Sequence, residues 1–182
     1  DALPILPVAG KKMKIRCWTL LLLALLSGKV CSADSVNIGV TGNIVASPCI
    51  FNGGSNSLDV NLGNIQATNM ATPGSTSDPV PFSLLFTQCP TGTQSVTVAF
   101  TGSPDPEAGA DYFMNSGSAT HVAIAMRDAQ TGALKGTGTS MTQTIAADRT
   151  ATLAMLASVK SMPGGATPGS ISAVVVMTMQ YN

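Results

Sequence analysis

The chain has 182 residues, nine basic groups, nine acidic groups and a single histidine, and only 10% of its residues are charged. That length suits one domain with short appendages, and a composition rich in Gly, Ser, Thr, Ala and Val with few aromatics excludes a coiled coil or a disordered chain. Lys11, Lys12, Lys14, Arg16 and Lys29 all precede residue 33, where Asp1 is the only acid, so the remainder carries four bases against eight acids and offers no basic patch to nucleic acid.

Residues 1–12 precede a possible start methionine and read as upstream translation outside the fold. Residues 13–32 read as a secretory signal: the basic Met13-Lys14-Ile15-Arg16 runs into the apolar Cys17 to Leu26, and Ser32 and Ala33 supply a cleavage site that leaves Ala33 first. The apolar run is shorter than the roughly 20 residues of a spanning helix. Cys31 as a lipid-modified cysteine is disfavoured by the bulk of Val30 before it. Export sends Cys17 and Cys31 away with the signal, so Cys49 and Cys89 are the pair expected to bridge in an oxidising compartment. A metal site at that pair lacks further ligands, because the chain has one His.

Residues 33–47 form an extension in which Val36, Ile38, Val40, Gly42 and Ile44 alternate with Asn37, Gly39, Thr41 and Asn43. The period is that of a strand with one apolar face. Pro48 breaks pairing at its end and Cys49 pins the chain immediately afterwards, which suits an arm better than an ordinary first strand.

Residues 48–182 read as an all-β sandwich of immunoglobulin type. Apolar residues alternate at Leu58, Val60 and Leu62, at Phe82, Leu84 and Phe86, at Val96, Val98 and Phe100, at Val122, Ile124 and Met126, and at Leu153, Met155, Ala157 and Val159. Between them stand turn clusters such as Asn52-Gly53-Gly54, Thr72-Pro73-Gly74 and Pro163-Gly164-Gly165. The last strand spans Ser170 to Tyr181, with Ile171, Ala173, Val175, Met177, Met179 and Tyr181 on one face. Its centre, Ala173 to Met177, is apolar on both faces, so it is expected to lie deep in a sheet and to need a neighbour on each side. No later segment exists in the chain to be that neighbour.

Catalytic chemistry has little to stand on. His121 is the only imidazole and shows no acidic partner fixed by sequence, so the many Ser and Thr hydroxyls have no evident base. Asp105, Glu107 and Asp111 cluster in a segment read as a loop, Ser103 to Tyr112, without the regular ligand spacing of a calcium site. The nine methionines read as core filler. No cofactor, metal or catalytic residue is expected.

The arm ending in Gly42-Asn43-Ile44-Val45-Ala46-Ser47-Pro48-Cys49, the second cysteine in Thr87-Gln88-Cys89-Pro90-Thr91-Gly92, Gly169 fourteenth from the end and the penultimate Tyr181 together resemble the chaperone–usher pilins of the type 1 fimbrial class. The likeness covers residues 33–182 and is closest to the minor tip-adaptor subunits. It implies an incomplete immunoglobulin-like sandwich that lacks its last strand and is completed by a donor strand from another chain. It further implies a periplasmic chaperone that first fills the groove, and an outer-membrane usher where the arm of the next subunit replaces it. In this chain Val36, Ile38, Val40 and Ile44 would then fill pockets in a neighbouring subunit while Gly42 passes a narrow place. Gly169, Ile171, Ala173, Val175, Met177, Met179 and Tyr181 would form the acceptor groove and chaperone-recognition edge. The expected location is a fimbria on the bacterial surface, reached through the periplasm. Two other readings are a major shaft subunit and a self-complete secreted sandwich that binds carbohydrate through Phe51, Tyr112 and Phe113.

Overall fold

The structure is a computed structural model that describes residues 35–44 and 48–182. The upstream segment, the signal, its cleavage site and residues 33–34 and 45–47 of the arm lie outside the described residues. The chain divides into a unit ending at Gly42 and a unit from Asn43 onward.

The second unit is built from strands β1 (Ile50–Phe51), β2 (Ser75–Thr76), β3 (Val80–Thr87), β4 (Ser95–Gly102), β5 (Pro104–Asp105), β6 (Gly109–Met114), β7 (Ala123–Asp128), β8 (Ser140–Thr144), β9 (Ala151–Ser161) and β10 (Val175–Tyr181). Two short 3₁₀ turns, Asn52–Gly54 and Ala67–Met70, are the only helical pieces among the described residues. One sheet has the order β1-β3-β9-β7-β6-β5, with β2 on the end of β9, and the other has the order β10-β4-β8. All pairings are antiparallel.

The alternation of each strand sends one set of side chains between the sheets. Leu84 and Phe86 of β3, Leu153 and Met155 of β9 and Phe113 of β6 meet Val96, Val98 and Phe100 of β4 in one cluster. Phe86 packs at a tilt against Phe51, and Tyr181 stands edge-on to it with centroids 6.4 Å apart. A smaller cluster of Met70, Ala119, Val122 and Val159 lies at one end, and Ile171 packs against both. The Cys49–Cys89 disulfide forms as expected, with both cysteines buried. It closes a 40-residue separation, which stabilises by about 4 kcal/mol in the chain-entropy picture.

Several expectations need correction. Phe51 and Phe113 are core residues, 9% and 1% exposed, so two of the three aromatics proposed for stacking on sugar are unavailable. Residues 103–112 are no loop: β5 and β6 pair as a hairpin, and Asp105 is buried at its turn, where its carboxylate accepts the Glu107 and Ala108 N–H groups at 2.9 and 2.7 Å. His121 does have an acidic neighbour, with Nδ1 3.3 Å from the Glu107 carboxylate, but both side chains are nearly half exposed. Such a surface pair is worth little and activates nothing. Leu58, Val60 and Leu62 alternate in burial but join no ladder, and Val122 precedes its strand. The strand at Ser140–Thr144 had no apolar signal beyond Met141.

Candidate functional site

The last strand departs most from its expectation. Its ladder begins at Val175 rather than Ser170, and among the described residues it pairs with β4 alone, from Val175↔Gly102 to Tyr181↔Val96. It is an edge strand. Val174 and Val176 are exposed, because the face they share points away from the core. The alternation of burial nevertheless runs unbroken from Ile171 to Tyr181.

Backbone geometry shows which residues carry the free edge. Asn182 and Ser95 exchange both backbone hydrogen bonds at 3.0 Å, and in an antiparallel ladder such pairs recur at every second residue. The even-numbered residues of β10 therefore bond to β4. Val175, Met177, Met179 and Tyr181 turn their N–H and C=O groups to the open side, and these same residues send their side chains towards the core.

Beside this edge lies a groove of about 300 Å³. One wall is Ile171, Ala173, Val175 and Met177; the other is the ladderless segment with Leu58, Val60 and Leu62. Its floor comes from the opposite sheet through Phe82 and Leu84 of β3, Ile124 and Met126 of β7 and Ala157 of β9. A second hollow of about 360 Å³ continues it between residues 60–65 and Gly169–Ile171. From the first hollow to the second, one wall rises in residue number as the other falls, so the walls run antiparallel. A strand laid between them would be parallel to one and antiparallel to the other.

Of the residues expected along this edge, Ile171, Ala173, Val175 and Met177 line the first hollow and Gly169 the second. Met179 and Tyr181 share their face but pack on the core instead. Burial pushes the Tyr181 phenol up from its ordinary value. The facing wall and the floor were not assigned to a site from sequence. The alternation at 58–62 was visible, and only the absence of a ladder partner distinguishes a groove wall from an ordinary strand.

Ser35 to Ile44 join no ladder among the described residues. Val36, Ile38, Val40 and Ile44 are 82%, 84%, 89% and 104% exposed. Four large aliphatic side chains at alternate positions, all exposed, are costly to leave uncovered. Nothing within 4 Å would meet a Cβ at Gly39 or Gly42. No group of three or more metal-ligating side chains is present among the described residues.

Comparison with known proteins points the same way. The sequence model of a family described as "Fimbrial protein" matches residues 38–182. The protein FimG of Escherichia coli K12 is 30% identical over 161 residues, covering 88% of this chain and 93% of its own. Among solved structures, the P pilus rod subunit PapA superposes with a TM-score of 0.58 at 23% identity, covering 80% of this chain and 100% of its own. The P pilus adaptor subunit PapF gives 0.51 at 20%, covering 77% and 100%.

Proposed function

The chain belongs to the fimbrial protein family, and from that membership we propose how it polymerises: residues 36–44 of one copy or relative fill the groove beside β10 of the next. The chain is a structural pilus subunit, exported and assembled with other subunits into a surface fimbria, and its family is not one of enzymes. The fold is the incomplete immunoglobulin-like sandwich of pilins. The observation that carries the proposal is the pairing of two deficits. Among the described residues, a core-facing strand has a ladder partner on one side only, and the aliphatic side chains of the arm are exposed.

Adding a strand to an exposed sheet edge is an established mode of recognition, and donor-strand complementation of pilins is itself one of its known examples. The arm matches the groove in period and in length. At about 3.3 Å per residue, Val36 to Ile44 reaches as far as Gly169 to Met177 along the groove wall, each span being eight steps. Burying the four aliphatic side chains contributes about 6–12 kcal/mol at ~1.5–3 each. New backbone hydrogen bonds along the free edge, at Val175 and Met177 among others, add ~0.5–1.5 kcal/mol apiece. That sum is comparable with the whole stability of a small domain, ~5–15 kcal/mol, so the filled subunit is hard to separate.

An apolar groove of this kind needs a cover before polymerisation. A periplasmic chaperone that lends a strand, and an outer-membrane usher at which the next arm replaces it, meet that need. The position along the fibre is proposed to be that of a minor tip adaptor, on the sequence resemblance to such subunits; abundance in purified fimbriae separates this from a shaft subunit. The polymerisation proposal is tested by Val40→Asp, which places a charge among the apolar positions of the arm. The variant is expected to fold and reach the periplasm yet to be missing from purified fimbriae. Normal incorporation would remove the arm from the mechanism.

A further inference from the structure

Residues 170–172 form part of the groove wall but lie outside the β10 ladder, so something else must hold them straight. The connection between β6 and β7 does so with side chains and two backbone bonds in place of a full partner strand. Asn115 is its hub. Its Oδ1 accepts the N–H of Ser172 at 2.8 Å and of Gly117 at 3.0 Å, while its Nδ2 donates to the Ala119 carbonyl at 2.8 Å and the Ser170 carbonyl at 3.4 Å. Around it, the Ser116 N–H donates to the Ser172 carbonyl at 2.8 Å and the Ala119 N–H to the Ser170 carbonyl at 3.0 Å. The Ser118 and Ser170 hydroxyls each accept the other residue's N–H, at 2.9 and 3.0 Å.

Every backbone group of Ser170 and Ser172 is thus turned towards residues 115–119. In an extended chain successive residues point their backbone groups to opposite edges. Ile171 and Ala173 are thereby left facing the groove, with their side chains on the core.

We infer that Asn115 is a positioning residue for donor-strand capture, holding the wall at 170–172 so that the free edge at Ile171 and Ala173 is formed before any donor arrives. This rests on the donor-strand reading above. Without the amide, that end of the groove keeps the two backbone bonds from Ser116 and Ala119 and the Ser118–Ser170 pair but loses the four bonds that tie them together, and an incoming arm must order more of the wall as it binds.

The test is Asn115→Asp in the exported chain. The substitution keeps the shape and the acceptor but sets a carboxylate oxygen against the carbonyls of Ala119 and Ser170. Ser170→Ala, which removes the hydroxyl that accepts the Ser118 N–H and leaves the Ser170 N–H on the Ser118 hydroxyl, is the milder second variant. Amide hydrogen exchange is read at 169–173, with β7 and β9 as internal references. Capture of a peptide copying Asp34–Ser47 is timed alongside, using Val36→Ala and Ile44→Ala versions of the peptide.

The expected result is faster exchange confined to 115–119 and 169–173, and capture slowed about tenfold, the weight of one or two lost hydrogen bonds. The slowing should couple to one end of the peptide and not to the other. A general loss of protection with equal slowing for both peptide versions would reduce Asn115 to an ordinary structural residue. Unchanged exchange at 169–173 in both variants overturns its role outright. A wild-type chain that takes up no peptide sinks the donor-strand reading itself.

Discussion

Gly169→Ala is a single added methyl whose outcome separates two reasons for a glycine in this position. The resemblance places Gly169 on the chaperone-recognition edge, a role that would leave the folded subunit's stability untouched. The structure gives it a steric reason. A Cβ at residue 169 would lie 2.5 Å from the Ala119 nitrogen, 2.7 Å from the Ser118 carbonyl carbon and 2.8 Å from the Ala119 Cα, all of them backbone atoms. No side chain can rotate away, so residues 118–119 or the groove wall must shift. Overpacking of this sort costs about 1–3 kcal/mol. The same argument applies across the contact, where a Cβ at Gly117 would fall on the Ser170 carbonyl. Urea unfolding of the purified chain reads the effect, with Gly42→Ala as the control because nothing lies within 4 Å of its position. The midpoint should fall for Gly169→Ala and Gly117→Ala at unchanged slope, and stay put for Gly42→Ala. Equal stability of all three would refute the steric account and return Gly169 to recognition alone.

Other outcomes follow from the core and the turns. Replacing both Cys49 and Cys89 by Ala should cost about 4 kcal/mol, read as a lower denaturation midpoint that reductant no longer changes. Phe86→Ala, at a fully buried side chain between Phe51 and Tyr181, should cost about 3–5 kcal/mol, and an unchanged midpoint would contradict the packing. Asp128 accepts the Thr131 hydroxyl at 2.7 Å and the Gln130 N–H at 2.8 Å, and these bonds hold its carboxyl below the ordinary value. A depressed folded-state pKa contributes stability that is present above the unfolded value of about 3.9 and lost as pH falls through the folded one. Acid titration of Asp128→Asn should therefore lack that part of the wild-type loss below about pH 4.

Much of this was legible in the sequence, for reasons that particular residues make plain. Phe82 to Phe86, Val96 to Phe100 and Leu153 to Val159 sit between two sheets, so their two-residue period is enforced by the core and visible as alternation. The last strand was misjudged in depth because Val174 and Val176 are apolar yet exposed. Apolar residues on both faces ordinarily mean burial on both faces, and one chain does not show that the outward pair lies in water. The β5–β6 hairpin was missed because Asp105 is acidic, and its burial depends on two turn N–H groups that sequence does not display. The alternation of Leu58, Val60 and Leu62 is that of a strand, whereas what makes them a groove wall is the missing ladder partner among the described residues, a property of the assembled sheet. Asn115 gave no signal at all, since a side chain that stands in for a ladder follows no periodicity.

If the groove beside β10 awaits an arm such as Val36–Ile44, thermal unfolding of the exported chain must change when a peptide copying Asp34–Ser47 is added. A stabilisation of even 6 kcal/mol corresponds to a rise of about 12–24 °C at ~2–4 °C per kcal/mol. A rise of that order is expected, developing slowly and abolished by Val40→Asp in the peptide. A midpoint that neither this arm nor that of a co-purified fimbrial subunit moves would mean that the groove is not a strand acceptor.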